Sequence, residues 1–151
     1  MKLELKHIAP YLPYGLKVAY VGYGEHEKEI KELVGLNINS ELWIKISEIG
    51  INNQSGEQPK NIKPILRPLS DLTKKIEHNG EKFVPSKKIE NDFACEWGSM
   101  AEEILFPLFD KNHTDIKIIP FNIMLKLFEW HFDVFNLIEN NLAIDINTLN
   151  N

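Results

Sequence analysis

The sequence predicts an α+β fold in which a small, curled antiparallel sheet near the N-terminus, a partial barrel, packs on C-terminal helices. Strand-like segments lie within residues 3–67 and helix-like segments within 86–140, an order typical of the α+β class. A proline-bearing stretch, 62–69, separates the two parts. With 151 residues and 43% hydrophobic side chains, the chain has the size of one domain with its own core. We therefore expect a single domain over 1–151, mainly strands in 1–69 and mainly helices in 70–151.

Four short strands are expected in the first part, because their segments are rich in β-branched and aromatic side chains or alternate between apolar and polar residues. They are 16–23, 29–36, 41–48 and 62–66. Pro64 cannot donate a ladder hydrogen bond, so we expect the fourth strand at a sheet edge. The polar stretch 50–61 predicts a surface loop.

Helices are expected in the second part from capping signals. Ser70 is a candidate N-cap for a short helix to about Glu77, which the pair Asn79-Gly80 would close. A second helix is predicted from Pro85-Ser86 to about Glu96. A third is predicted from the capping-box spacing that begins at Ser99.

The segment 121–138 predicts the central helix of the core. Apart from His131, the polar residues of this segment and Asn140, the next one along the chain, recur at helical spacing, so they share one narrow stripe. They are Asn122, Lys126, Glu129, Asp133, Asn136 and Asn140. We therefore expect that only this stripe faces water and that most of the circumference is buried.

His131 lies opposite that stripe, in the middle of the predicted apolar face. One interpretation is a buried, neutral core histidine that is hydrogen-bonded to a backbone carbonyl or a tyrosine. The other interpretation makes it a base or a metal ligand in a pocket. A second histidine at helical spacing is absent from the sequence, so no metal site is predicted on this helix.

Cys95 is the one cysteine, which excludes an intrachain disulfide and thiolate-clustered metal sites and suits a reducing compartment. Neither a membrane-spanning run nor a signal peptide is evident. These features predict a cytoplasmic protein with no membrane association, no cofactor, no metal and no assigned catalytic residue.

Charge is segregated along the chain: residues 1–57 carry net −2, 58–88 net +5 and 89–151 net −8. The basic middle could form a face for a small anionic ligand. Its candidate ligand-binding residues are Lys60, Lys63, Arg67, Lys74 and Lys75. Alternatively, the basic middle neutralises the acidic C-terminal third across the fold.

Three sequence blocks resemble a family of short bacteriophage and prophage-associated proteins that have no assigned activity. They are 7–17, 62–72, and 130–135 followed by 142–145. Where that pattern has glycine, this chain has Asn136 and Asn141, and asparagine tolerates the left-handed backbone conformation well. The resemblance implies an accessory protein of a mobile element, which favours binding over metabolic catalysis.

Three functions follow as hypotheses. The first is a non-catalytic accessory protein that binds a host protein or a small anionic ligand. The second is a nucleic-acid-associated module that uses residues 58–88, with Trp43 or Tyr23 stacking on bases, although a pI of 5.5 argues against nucleic acid as the main partner. The third is a small hydrolase that uses His131 with Cys95 or a carboxylate. Trp43, on the outward face of its predicted strand, would also allow a homodimer.

Overall fold

The computed structural model describes six stretches of the chain, and they combine helices and strands as an α+β protein. They are residues 1–21, 28–36, 42–45, 54–57, 61–97 and 119–149. The chain separates into two compact units: unit 1 contains Met1–Arg67 and Phe135–Asn151, and unit 2 contains Pro68–Val134. Within the described stretches, no helix is long and apolar enough to cross a membrane.

The described residues form eight strands and three α-helices. The strands are β1 (Lys17–Val21), β2 (Lys28–Leu36), β3 (Leu42–Lys45), β4 (Gln54–Glu57), β5 (Ile62–Leu66), β6 (Ile76–His78), β7 (Glu81–Phe83) and β8 (Ile144–Asp145). The helices are α1 (Leu5–Ile8), α2 (Pro85–Trp97) and α3 (Phe121–Glu129).

Unit 1 begins with α1, which runs into a 3₁₀ helix, Ala9–Tyr14. The N–H of Glu4 donates to Nδ1 of His7 at 3.1 Å, so the first turn is held by the side chain of His7. Gly15, with φ +67°, ends the 3₁₀ helix in the left-handed conformation and leads into β1. The sequence reasoning did not predict α1.

The sheet of unit 1 has six strands in the order β4-β3-β2-β1-β5-β8. Neighbours from β4 to β5 are antiparallel, and β8 joins β5 in parallel, with Ile144 opposite Ile65. The C-terminal segment thereby returns to the sheet that the first sixty-odd residues form. Strands β1, β2, β3 and β5 confirm the four predicted strands.

Two predictions about this sheet are wrong. The stretch 50–61 is not only a loop, because its residues Gln54–Glu57 form β4 and pair with β3. Backbone ladder bonds suffice for a polar strand at an edge, where no apolar face has to be buried. Strand β5 is not the sheet edge, because β8 lies outside it. Strand β8 pairs only with Ile65 and Leu66, so Pro64 has no partner residue on β8.

Among the described residues of unit 1, the buried hydrophobic side chains come from the central strands and from the two ends of the unit. They are Ile8, Tyr11, Leu16, Val18, Ala19, Leu33, Ile62, Ile65, Leu66, Leu137 and Ala143. On β1, Lys17 is exposed, whereas the consecutive residues Val18 and Ala19 are both buried, so the strand is covered on both faces at these two positions.

Unit 2 opens with a 3₁₀ turn, Leu69–Asp71, and the β6–β7 hairpin. The predicted helix from Ser70 to Glu77 is therefore wrong. Asn79 and Gly80 form the two-residue hairpin loop with φ of +50° and +81°. An Asn-Gly pair suits such a loop because both positions need positive φ.

Helix α2 confirms the predicted second helix, and the helix predicted from Ser99 lies outside the described residues. Helix α3 corrects the prediction for 121–138, since it ends at Glu129. The predicted water-facing stripe is also wrong: Asp133 is buried, whereas the apolar Phe121 and Leu125 are exposed. Among the residues of unit 2 whose burial is described, the buried hydrophobic ones are Leu72, Ile76, Ile89, Ile123, Leu127, Phe128, Trp130, Phe132 and Val134.

Candidate functional site

A tight turn ends α3 and places His131. The N–H of His131 donates to the carbonyl of Phe128 at 3.0 Å, and the N–H of Phe132 donates to that of Leu127 at 2.8 Å. These two bonds form a Schellman motif, in which the residue after the C-cap takes a left-handed conformation. That residue is His131, with φ +59°.

His131 therefore does not lie on the buried face of a long helix. The prediction that it is buried in the core is wrong, because its side chain is half-buried. Polar residues keep their helical spacing beyond Glu129, which is why the sequence predicted a continuous helix. The backbone, however, leaves the helical conformation after Glu129. Glycine is the usual residue at this left-handed position, so histidine gave no sequence signal for the turn.

The hairpin places a second histidine beside the first. His78 is the last residue of β6 and opposes Glu81 across the Asn-Gly loop. Its ring meets that of His131 edge to face, with centroids 5.4 Å apart and ring planes at 82°. The end of the hairpin and the end of α3 are thus in direct contact.

A second aromatic pair joins the same two elements. The rings of Phe83, on β7, and Trp130, the C-cap of α3, have centroids 5.0 Å apart. Nζ of Lys88, on α2, lies 4.5 Å from the centroid of Phe83 and 2.7 Å from both carboxylate oxygens of Glu81. The ammonium group therefore lies between an aromatic face and a carboxylate, both of which attract it.

We call these side chains the hairpin–helix cluster. It contains His78, Glu81, Phe83, Lys88, Trp130 and His131. Of these, the sequence reasoning singled out His131 alone. The signal that could have found the others is the Asn79-Gly80 pair between two short segments, since it brings His78 and Phe83 into one hairpin.

Of the three candidate ligand-binding residues in unit 1, the structure describes Lys63 and Arg67. Lys63, on β5, is half-buried, and its Nζ donates to Oδ1 of Asn141 at 2.9 Å. Arg67 is buried, with 9% of its surface exposed. Lys60 lies outside the described residues.

Lys74 and Lys75 belong to unit 2 and are exposed. Three lysines of this unit form ion pairs with carboxylates of the same basic middle segment, 58–88. The pairs are Lys74–Asp71 at 2.6 Å, Lys82–Glu77 at 3.3 Å and Lys88–Glu81 at 2.7 Å. The three acidic residues of the middle segment are all used in these pairs, so the segment keeps its net +5. Neutralisation by the acidic C-terminal third stays a prediction.

The structure brings no group of three or more His, Cys, Asp or Glu side chains together as a metal site in the part of the chain that it describes. Cys95 lies in α2, but its side chain is outside the described set. The pairing of Cys95 with His131 in a hydrolase therefore stays a prediction, as does base stacking by Trp43 or Tyr23.

His7 is a buried histidine in unit 1, with 5% of its surface exposed. Its Nδ1 accepts the hydrogen bond from Glu4, and its ring lies 5.4 Å from that of Phe135. Burial, followed by the nearby charge of Lys6, lowers the pKa of His7 below its ordinary value. Burial therefore favours the neutral form of this imidazole, which holds the first turn of α1 through its bond from Glu4.

Helix α3 exposes two large apolar side chains. Phe121 is 76% exposed and Leu125 is 38% exposed. They are four residues apart and so lie one above the other on the same side of the helix. We call this pair the α3 patch. Next to it in sequence, Lys126 and Glu129 form an ion pair at 3.0 Å.

A comparison with protein-family models, with curated proteins and with solved structures finds no match to this chain.

Proposed function

We propose that this chain is a non-catalytic accessory protein that binds another protein through the α3 patch. The observation that carries the proposal is the exposure of Phe121. An exposed phenylalanine with a leucine one helical turn away is the arrangement with which a helix anchors in the apolar groove of a partner. Aromatic side chains are enriched at such contacts because they bury a large area on binding.

Charge supports a particular kind of partner. The chain as a whole carries net −5 at pH 7. A partner groove with a basic rim would gain both apolar burial and favourable long-range attraction. We therefore propose a host protein with an apolar groove and basic flanks as the partner.

The biological setting belongs to the same proposal. The sequence blocks that resemble phage and prophage-associated proteins support an accessory role in a mobile element, which acts on its host. The single cysteine supports a cytoplasmic location. As part of the same account, the unit 1 sheet is proposed to curl into a partial barrel.

The overall acidity of the chain, with a pI of 5.5, favours a protein partner over nucleic acid. Lys74, Lys82 and Lys88 each have a carboxylate partner within the basic middle segment. Of the candidate ligand-binding residues, Lys74 is therefore already engaged by a carboxylate. Turnover of an ester, peptide or nucleotide that His131→Ala abolishes in a folded protein would contradict a non-catalytic role.

Site-specific photo-crosslinking in host cells tests the proposal. A photoreactive phenylalanine analogue replaces Phe121 in one variant and Leu149, an exposed apolar residue of unit 1, in the control. We expect a discrete crosslink to one host protein from position 121 and none from position 149. The same crosslink should disappear when Leu125→Lys is added, because a charged group would then have to enter the apolar groove.

Three outcomes would contradict the proposal. They are no crosslink from position 121, equal crosslinks from both positions, and a crosslink only to a second copy of this chain. The last outcome would instead assign the patch to self-association.

A further inference from the structure

We propose that His7 is a proton-operated latch: its neutral ring closes the first turn of α1, and protonation releases that turn together with the contact between His7 and Phe135. All of these residues belong to unit 1. This inference does not rest on the proposed function. It rests on which ring nitrogen accepts a hydrogen bond, on the burial of the ring and on the charged groups beside it.

The hydrogen bond between Glu4 and His7 requires an unprotonated ring nitrogen. The N–H of Glu4 donates to Nδ1 of His7 at 3.1 Å. A backbone N–H can only donate, so Nδ1 is the acceptor and the proton of the neutral ring is on Nε2. In the imidazolium form both nitrogens carry protons. Protonation therefore replaces this hydrogen bond with two donors that face each other.

The position of His7 in the turn gives this bond its importance. Glu4 is the N-cap of α1 and His7 is the third residue of the helix. In a capping box the third residue is usually glutamate or glutamine, whose side chain accepts from the N–H of the N-cap residue. A carboxylate or an amide oxygen is an acceptor at any neutral or mildly acidic pH. With histidine in this place, the N–H of Glu4 keeps its partner only while the imidazole is neutral.

Burial makes the closed turn unfavourable for the proton. The side chain of His7 is 5% exposed, and its ring lies 5.4 Å from that of Phe135, which also meets Tyr11 edge to face. An imidazolium in this place would lose hydration without gaining a partner for Nδ1. A proton therefore favours an open state in which the ring reaches water, and it shifts the population towards that state.

The charged groups that act on the ring are Lys6 and Glu4. Burial is the main cause that lowers the pKa of His7, Lys6 lowers it further, and the carboxylate of Glu4 opposes the change. That carboxylate is paired with Nζ of Lys6 at 2.9 Å, and Phe135, which meets the ring from the C-terminal segment, is uncharged. The closed state thus has a pKa below the ordinary 6.5 that an open state has. The latch is closed above pH 6.5 and opens at lower pH.

The test follows the full chain with labelled histidines by nuclear magnetic resonance from about pH 7.5 to about pH 5. At the upper end, the nitrogen resonances of His7 should show a bare Nδ1 and a protonated Nε2. As the pH falls, the amide resonance of Glu4 and the ring contact between His7 and Phe135 should change with one common midpoint below 6.5. The contact between Tyr11 and Phe135 should persist, which distinguishes local opening from unfolding.

The carboxylate of Glu4 does not titrate in this range, because its hydrogen bond with Lys6 and the charge of Lys6 lower its pKa below the ordinary 4.5. His7→Gln keeps an acceptor in the capping box at every pH, so the Glu4 amide of this variant should show no transition. His78→Gln removes a histidine of unit 2 instead and should leave the midpoint unchanged.

Four results would overturn the proposal. They are a titration of His7 that leaves the Glu4 amide unchanged, a midpoint at or above 6.5, loss of the contact between Tyr11 and Phe135 over the same pH range, and a transition that persists in folded His7→Gln. A transition that disappears in His78→Gln would overturn it as well. The first three results come from the wild-type protein and need no variant.

Discussion

The imidazole of His131 meets that of His78 edge to face, with ring centroids 5.4 Å apart, at the point where α3 ends and the β6–β7 hairpin turns. This contact exists because the chain leaves the helix one residue before His131. The adjoining pair of Phe83 and Trp130 joins the same two elements. Together the two pairs make the end of α3 and the hairpin into one local structure within unit 2.

The first prediction concerns the backbone of His131. Replacement by glycine should give a more stable protein than replacement by alanine, by about 1–2 kcal/mol, because a Cβ is unfavourable in the left-handed conformation. Both variants lose the ring contact with His78, so the difference isolates the backbone. Urea unfolding of the two variants measures it. A more stable alanine variant would show that His131 continues the helix, where alanine is favoured over glycine, and equal stability would contradict the left-handed backbone.

The hairpin loop makes the second prediction. Gly80→Ala should lower the free energy of unfolding by about 1–2 kcal/mol, since φ is +81° at this residue. A Cβ there meets no atom within 4 Å, so the loss comes from the backbone conformation and not from a clash. Exposed Thr73→Ala in the same unit is the control, with an expected change within about 0.5 kcal/mol.

Acidification is the basis of the third prediction. The pKa of His7 is lowered in the folded protein from its ordinary value of 6.5, because the ring is buried. Above pH 6.5 the imidazole is neutral in both the folded and the unfolded state, so its burial contributes its full stabilisation. As the pH falls below 6.5, the unfolded state takes up the proton first, so the stability contributed by the neutral ring is lost down to the folded-state pKa.

Denaturation of the wild type and His7→Gln from about pH 7.5 down to about pH 5 checks this linkage. The stability of the wild type should fall more steeply than that of the variant, which has no imidazole at this position. Parallel pH profiles would mean that His7 titrates alike in both states.

The fourth prediction compares two leucines on α3 that are two residues apart. Leu127 is fully buried, and Leu127→Ala should lower the free energy of unfolding by about 2–5 kcal/mol. Leu125 belongs to the α3 patch, and Leu125→Ala should change stability by about 0.5 kcal/mol or less. Equal losses at the two positions would show that Leu125 is buried and that the patch does not exist.

Segments with a single consistent pattern could be predicted from the sequence. β1 and β2 are rich in β-branched or alternating residues, and α2 begins with a proline at its first position, where the missing N–H has no cost. Each of these elements is determined by its own residues, so no tertiary information was needed to find it.

Signals with two meanings explain the main errors. Asn79-Gly80 supplies positive φ, which ends a helix as well as it closes a hairpin, and the flanking strands are only three residues long. Likewise, the polar spacing of α3 continues through Asp133 and Asn136, although His131 and Asn136 both have positive φ.

The left-handed conformation of Asn141 is one that its residue type was expected to tolerate. Asn141 has φ +56°, and the N–H of Leu142 donates to the carbonyl of Leu137 at 2.8 Å. Tolerance of the left-handed conformation could be read from the residue type. The hydrogen bond between Asn141 and Lys63 on β5 could not be predicted from the sequence, because it joins residues far apart along the chain.

Nuclear magnetic resonance of the full chain with isotope-labelled histidines tests the central claim most directly. The account predicts a cross-relaxation peak between the imidazole protons of His78 and His131, together with backbone shifts of a left-handed residue at His131. An unbroken series of helical contacts from Phe121 to Ile138, with no peak between the two imidazoles, would contradict it.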